Sequence, residues 1–228
     1  MAKTTAIVLA AGKGTRMGAD IAKQYLMINE KPLLYYTLQA FERSLVDQII
    51  VVLGEGEEEY CKAHVLDLYP FKKITAIVTG GKERYNSVYE GLRAAEDCDY
   101  VLVHDGARPC LRPQMINKII EEVKVKKACV LGVPVKDTIK VVQKTGVVVD
   151  TPDRSTLMIT QTPQAFEYDM LCRAYEKLFQ TENIGVTDDA MVVESMLKQE
   201  VHMVEGEYSN IKVTTPEDLL IVGQFLNS

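Results

Sequence analysis

Residues 6–18 read Ala6-Ile7-Val8-Leu9-Ala10-Ala11-Gly12-Lys13-Gly14-Thr15-Arg16-Met17-Gly18, an apolar run that stops at once in a glycine-rich turn. The run is short and apolar on both faces, which is how a strand buried inside a parallel sheet reads. Four more runs share that character: Ile49 to Leu53, Ile74 to Thr79, Tyr100 to His104 and Ala128 to Val133. Between them the period changes to that of a helix, over Leu33 to Glu42, Glu57 to Leu68, Arg84 to Ala95 and Arg112 to Lys126. Each helical stretch is long enough to be a right-handed crossover between parallel strands. The alternation predicts an α/β fold with a doubly wound, mostly parallel sheet.

The rhythm breaks after Pro134. Thr138-Ile139-Lys140-Val141-Val142 and Val147-Val148-Val149 flank Gln143-Lys144-Thr145-Gly146, which reads as a β-hairpin with glycine in its turn. An isolated two-stranded ribbon is marginal in water, so this protruding arm, about residues 135–157, is expected to lie against its own domain or a second subunit. A dimer is the more economical expectation. Helices return at Tyr168 to Gln180 and Asp188 to Lys198, followed by a strand at Val201 to Glu205. Thr215-Pro216-Glu217-Asp218 then opens the last helix, with Thr as N-cap, Pro at the first helical position and acids in the first turn. No repeat or low-complexity tract interrupts the chain, so residues 1–228 are expected to form one domain.

With 47% apolar and 25% charged residues, 14 Gly and 8 Pro, the chain is excluded from disordered, collagenous and low-complexity classes. Its 32 acidic against 26 basic residues, a net charge of −6, oppose a general affinity for nucleic acid or anionic membrane. A phosphate ligand must then be held by local cations. The five cysteines are widely spaced, with no C-x-x-C, and read as reduced thiols rather than a disulfide framework or zinc site. Met1 to Thr5 run straight into a short apolar stretch broken by Gly12, and no apolar run approaches the roughly 20 residues that span a bilayer, so a cytoplasmic location is expected.

The glycine-rich turn follows the first strand, where an α/β sheet opens its ligand crevice and backbone N–H groups can approach phosphate oxygens. Met17 occupies the third position of the G-x-G-x-x-G pattern and no Gly-Lys-Ser/Thr follows, so neither the dinucleotide fingerprint nor the Walker A loop is present. Arg16 within the turn and Lys23 seven residues later place two cations beside it. A triphosphate undergoing substitution needs such charge, because negative charge spreads over its oxygens in the transition state. At the end of the fourth strand, Asp105 can bind a ribose hydroxyl or magnesium, and Arg108 a substrate phosphate or hydroxyl. His104, without a metal-spaced partner, reads as a packed strand-end residue, and His64 and His202 as structural or exposed. Gly80-Gly81-Lys82-Glu83-Arg84-Tyr85-Asn86-Ser87 again follows a strand and reads as a base-recognising turn or an ordinary one. Lys136-Asp137-Thr138, Asp153-Arg154 and Asn210 to Thr214 are placed in loops, Gln161 to Phe166 in a turn, and Val186 to Ala190 at a helix N-terminus.

Together these segments resemble the 2-C-methyl-D-erythritol 4-phosphate cytidylyltransferase family from about Thr5 to Asn227. The motifs are Ala10 to Arg16 with Lys23-Gln24-Tyr25-Leu26, Gly80 to Ser87, His104 to Pro109, Pro134 to Lys140, Gln161 to Phe166, Thr187 to Ala190 and Asn210 to Asp218. Ala22 stands where the family usually has Pro, and Lys82 where an acidic or polar residue is often seen. The resemblance implies transfer of a cytidylyl group from CTP to methylerythritol phosphate with release of pyrophosphate, in non-mevalonate isoprenoid synthesis, with magnesium as cofactor. It implies catalytic roles for Arg16, Lys23 and Lys212. A CTP site would be lined by Ala10, Ala11, Gly12, Gly14, Gly81, Arg84, Ser87 and Asp105. Arg108, Thr138, Arg154 and Thr162 would hold the methylerythritol phosphate, with Thr138 and Arg154 reaching over from the partner's arm in a homodimer. The sister family of ribitol-5-phosphate cytidylyltransferases is the alternative. It tends to read Ala-Val-Arg-Pro where this chain has Gly106-Ala107-Arg108-Pro109.

Overall fold

A computed structural model describes residues 2–12, 22–95, 97–181 and 185–227. β1 (Thr4–Ala10) leads, past Ala11 and Gly12, to a short 3-10 turn at Lys23–Tyr25 and a small hairpin of β2 (Met27–Ile28) and β3 (Lys31–Pro32). α1 (Leu33–Glu42), β4 (Gln48–Leu53), α2 (Glu58–Cys61), β5 (Ile74–Thr79), α3 (Arg84–Ala94), β6 (Tyr100–Asp105), α4 (Pro113–Lys126) and β7 (Ala128–Pro134) continue the alternation. The arm carries β8 (Val141–Val142) and β9 (Val148–Asp150), after which come β10 (Met158–Glu167), α5 (Tyr168–Phe179), α6 (Asp189–Leu197), β11 (His202–Glu205) and α7 (Pro216–Leu226). The central sheet runs β11-β7-β10-β6-β1-β4-β5, parallel except at β10, which pairs antiparallel with both β6 and β7.

Alternating residues of the strands feed two cores. Ala6, Val8, Ile49, Val51, Leu102 and Leu131 pack under α1 and α4, whose buried stripes include Leu34, Leu38, Phe41, Ile116, Ile119 and Val123. On the other face Ile7, Ile50, Val52, Val101, Val103 and Val130 meet α3, α5 and α6 through Val88, Leu92, Leu171, Tyr175, Val192 and Val193. Burial of both strand faces is what made these runs continuously apolar. A smaller cluster of Ile28, Leu33, Cys110, Val213 and Val222 seats α7 against β2, the start of α1 and the loop after β6.

The segment Gln161 to Phe166, expected as a turn, is the inner part of β10 and lies between β6 and β7. Pro163 argues against a central strand because it cannot donate to the ladder. The sheet accommodates it where the β10–β7 register slips between Thr160 and Gln164. Glu57 to Leu68, expected as one helix, begins as α2 and continues as a wider π turn over Lys62–Leu66. The hairpin of the arm forms as expected, with Gly146 at φ +86° in its turn. Among the described residues no helix is long and apolar enough to cross a membrane. The five cysteines are free thiols.

Candidate active site

The carboxyl ends of β1, β4, β5 and β6 open onto one cleft of about 960 Å³. Its walls include Ala10, Ala11, Gly12, Lys23, Gly81, Arg84, Ser87, Asp105 and Lys212. Nine of the expected site residues are thus brought together from five separate stretches of chain. Arg16 and Gly14 lie outside the described residues.

Asp105 ends β6 and is the electrostatic centre of the cleft. Lys212 Nζ stands 2.8 Å from its Oδ2 and Arg84 Nε 3.4 Å from its Oδ1. Burial pushes the carboxyl's pKa up, but the charges of Arg84 and Lys212 outweigh it and hold the group well below the usual carboxylate range. Lys212 reaches the site because the irregular segment before α7 is tied down: Val213 N–H donates to Ala107 O at 2.8 Å, and Lys23 Nζ donates to Val213 O at 3.4 Å. Two cations from opposite ends of the chain therefore share one anchor.

Arg84, the first residue of α3, uses both terminal nitrogens on Asp189, at 2.9 and 2.7 Å. Asp189 is fully buried and also accepts from the Tyr175 hydroxyl at 2.6 Å. Gln164 completes the arrangement, its Oε1 accepting from the N–H groups of Asp189 and Ala190, both at 3.0 Å. Sequence reasoning missed Asp189, Tyr175 and Gln164. The Asp188-Asp189 pair was visible, and Asp188 is the N-cap of α6, but nothing in the sequence links Asp189 to Arg84, 105 residues away.

The β5–α3 turn is tight. Ser87 Oγ accepts from Gly81 N–H at 3.1 Å, and a Cβ on Gly80 would sit 2.6 Å from that hydroxyl and 2.8 Å from Ala11 Cβ. A side chain at Gly81 would strike Asn86 Cβ. Glycines are required there so that the turn can lie flat against the end of β1. Lys82, a departure from the family pattern, lines the cleft beside them.

Arg108 and Thr162 do not line this cleft. Arg108 is mostly buried, donates from Nη1 to Asn210 O at 2.7 Å, and keeps its Nε 3.8 Å from Asp105 Oδ2, too far for a hydrogen bond. Thr162 is buried under Asp105: its Oγ1 accepts from the Asp105 N–H at 3.1 Å and meets His104 Nδ1 at 2.9 Å. Thr138 and Arg154 stand on the exposed arm, where Arg154 Nη1 donates to Lys136 O at 2.7 Å. Neither lines the cleft of its own chain.

Among the described residues no three His, Cys, Asp or Glu side chains gather as a metal cage. Magnesium is ordinarily held by one or two carboxylates together with substrate phosphates and water. Asp105, the cleft carboxylate at the end of β6, fits an ion brought in on a triphosphate.

The model of the 2-C-methyl-D-erythritol 4-phosphate cytidylyltransferase family matches residues 4–228. A protein of that name from Lachnoclostridium phytofermentans is 51% identical over 226 residues, covering 99% of this chain and 97% of the relative. One from Alkaliphilus oremlandii is 44% identical, covering 100% and 97%. Among solved structures, the 4-diphosphocytidyl-2C-methyl-D-erythritol synthase of Anaerococcus prevotii superposes with a TM-score of 0.88 at 34% identity, covering 100% of this chain and 97% of that one.

Proposed function

The chain belongs to the 2-C-methyl-D-erythritol 4-phosphate cytidylyltransferase family and transfers the cytidylyl group of CTP to that sugar-alcohol phosphate; from this premise we propose how its residues divide the work. The observation that carries the proposal is the convergence of Lys23 and Lys212 with the glycine turn and Asp105 in one cleft.

A phosphate oxygen of the acceptor attacks the α-phosphorus of CTP in line. The new P–O bond forms as the bond to the bridging oxygen breaks, and that oxygen leaves with pyrophosphate. The nucleophile is already anionic at neutral pH, so no general base is needed. Catalysis is then positioning and electrostatic stabilisation. Ala10, Ala11, Gly12 and Gly14 bring backbone N–H groups to the triphosphate, while Arg16, Lys23 and Lys212 face the charge that grows on it. Gly81 and Ser87 line the nucleotide side. Arg84 lines it too, but its terminal nitrogens are taken by Asp189. We assign its charge to holding Asp105 in place. Magnesium, when bound, neutralises phosphate charge and the leaving pyrophosphate, with Asp105 its protein contact.

Arg108 serves the acceptor side of Asp105, and Thr162, whose hydroxyl is engaged by the Asp105 N–H and His104, supports that side from beneath rather than touching the acceptor. Thr138 and Arg154 complete the acceptor site of a second copy of this chain, to which the arm docks. The arm's exposed valines, Val141, Val142, Val147, Val148 and Val149, support that docking. The test is pyrophosphate release across nucleotides and polyol phosphates, with and without chelator. CTP with methylerythritol phosphate and magnesium should be the fastest combination. Faster turnover with ribitol 5-phosphate would overturn the acceptor, and undiminished turnover in chelator would overturn the metal.

A further inference from the structure

The cleft contains an acidic side chain that the reaction does not call for. Glu57, just after the β4 end, lines the same wall as Lys23. An unengaged carboxylate there would repel a triphosphate. This one is engaged: its Oε2 accepts from Gln24 Nε2 at 2.9 Å and from the Tyr25 hydroxyl at 3.0 Å. Gln24 and Tyr25, the residues next to Lys23, are almost wholly buried, at 1% and 4% exposure. Gln24 Nε2 also donates to Ala10 O, at the end of β1, at 2.6 Å. Room for the carboxylate is left by Gly54, where a Cβ would lie 2.6 Å from Glu57 Oε1.

Three cleft walls thus meet at one carboxylate: the end of β1, the Lys23–Tyr25 turn and the loop after β4. Both donors are neutral and both are buried, so they need an acceptor, and an ionised one makes bonds about twice as strong as a neutral one. The turn has no side-chain cap of its own. What fixes it fixes Lys23, whose Cε passes 3.9 Å from where a Cβ on Gly12 would stand. We propose that Glu57 is a positioning residue for Lys23, locking the Lys23–Tyr25 turn so that the lysine side chain is held beside Gly12 at the end of β1. The inference rests on the assignment of Lys23 to the charge developing on the triphosphate.

The experiment is a double-mutant cycle on the full chain, read as kcat and KM with CTP and methylerythritol phosphate. Lys23→Ala alone should lower kcat by about 100-fold, the scale of one lost transition-state donor. Glu57→Ala should lower kcat by about 10-fold, as expected for a displaced catalytic group, with KM for methylerythritol phosphate unchanged. Glu57→Gln, whose amide oxygen can still accept, should recover most of that loss. In the Lys23→Ala background Glu57→Ala should cost less than about 2-fold, because the group it positions is gone. Equal losses in both backgrounds, or no loss in the wild-type background, would overturn the positioning role while leaving Lys23 catalytic. An unchanged kcat for Lys23→Ala would overturn the assignment of Lys23 and this inference with it. Should Glu57→Ala not fold, Tyr25→Phe removes one of the two donors and must show the same dependence on Lys23, with a smaller loss.

Discussion

His104 and Asp105 are neighbours at the end of β6 with opposite electrostatic fates. Burial pushes the imidazole pKa down to about 3, the Arg108 charge acting the same way and Asp105 against it. The ring is therefore neutral when folded, while in the unfolded chain it titrates near its ordinary value of about 6.5. Between those values the unfolded state binds the extra proton, so stability is fully present above about pH 6.5 and falls as the pH drops, by up to about 1.4 kcal/mol per pH unit. Asp105 behaves otherwise. Its depressed pKa contributes stability that is present above an unfolded value of about 3.9 and lost only at lower pH. Urea unfolding between about pH 4.5 and 6.5 accordingly isolates His104. The wild type should lose stability across that window and His104→Gln should lose less; parallel curves for the two proteins would contradict the assignment. The histidine itself was readable as a packed strand-end residue, whereas its bond to Thr162 was not, because Thr162 arrives on a strand 58 residues later.

At the scale of the element, α3 lies close enough to the sheet that Gly91 has no room for a side chain. A Cβ there would meet Ile7 Cγ2 at 2.5 Å and Val52 Cγ2 at 3.3 Å. Gly91→Ala therefore sets two effects against each other: a gain in helix propensity of about 1 kcal/mol and an overpacking cost of about 1–3 kcal/mol. Ile7 is fully buried on a central strand with neighbours on both sides, so it cannot yield and the cost should win. Net destabilisation near 1 kcal/mol is expected in urea titration; a stabilised variant would show that the helix can move away from the sheet. Strands and helices of the alternating half were legible because one period serves each. β10 was not, since Pro163 contradicts a central strand locally and only the register slip beside β7 makes it acceptable.

The whole molecule raises the question of what covers the arm. Val142, Val148 and Val149 are each more than half exposed, in a ribbon that shows no hydrophobic core of its own. If each acceptor site borrows Arg154 from a second copy and takes Arg16 from its own chain, homodimers of Arg16→Ala and of Arg154→Ala should both be nearly inactive. Unfolded together and refolded, they would form mixed dimers with one site carrying both lesions and one carrying neither. Activity should reappear. Mixed dimers confirmed by mass spectrometry yet inactive would show that Arg154 serves its own chain.

The sequence by itself determined the α/β alternation, the place of Lys23 beside the end of β1, the strand-end Asp105 and the arm. All of these are local: a period, a turn composition or a charge beside a glycine is written within about a dozen residues. Tertiary structure alone decided the rest. The direction of β10, the clamp of Asp189 on Arg84, the seat of Lys212 on Asp105 and the hold of Glu57 on the Lys23 turn join positions separated by 32 to 107 residues. Such pairings are selected by which faces the packed sheet brings together and which buried polar atoms then need partners, and neither quantity exists until the chain has folded.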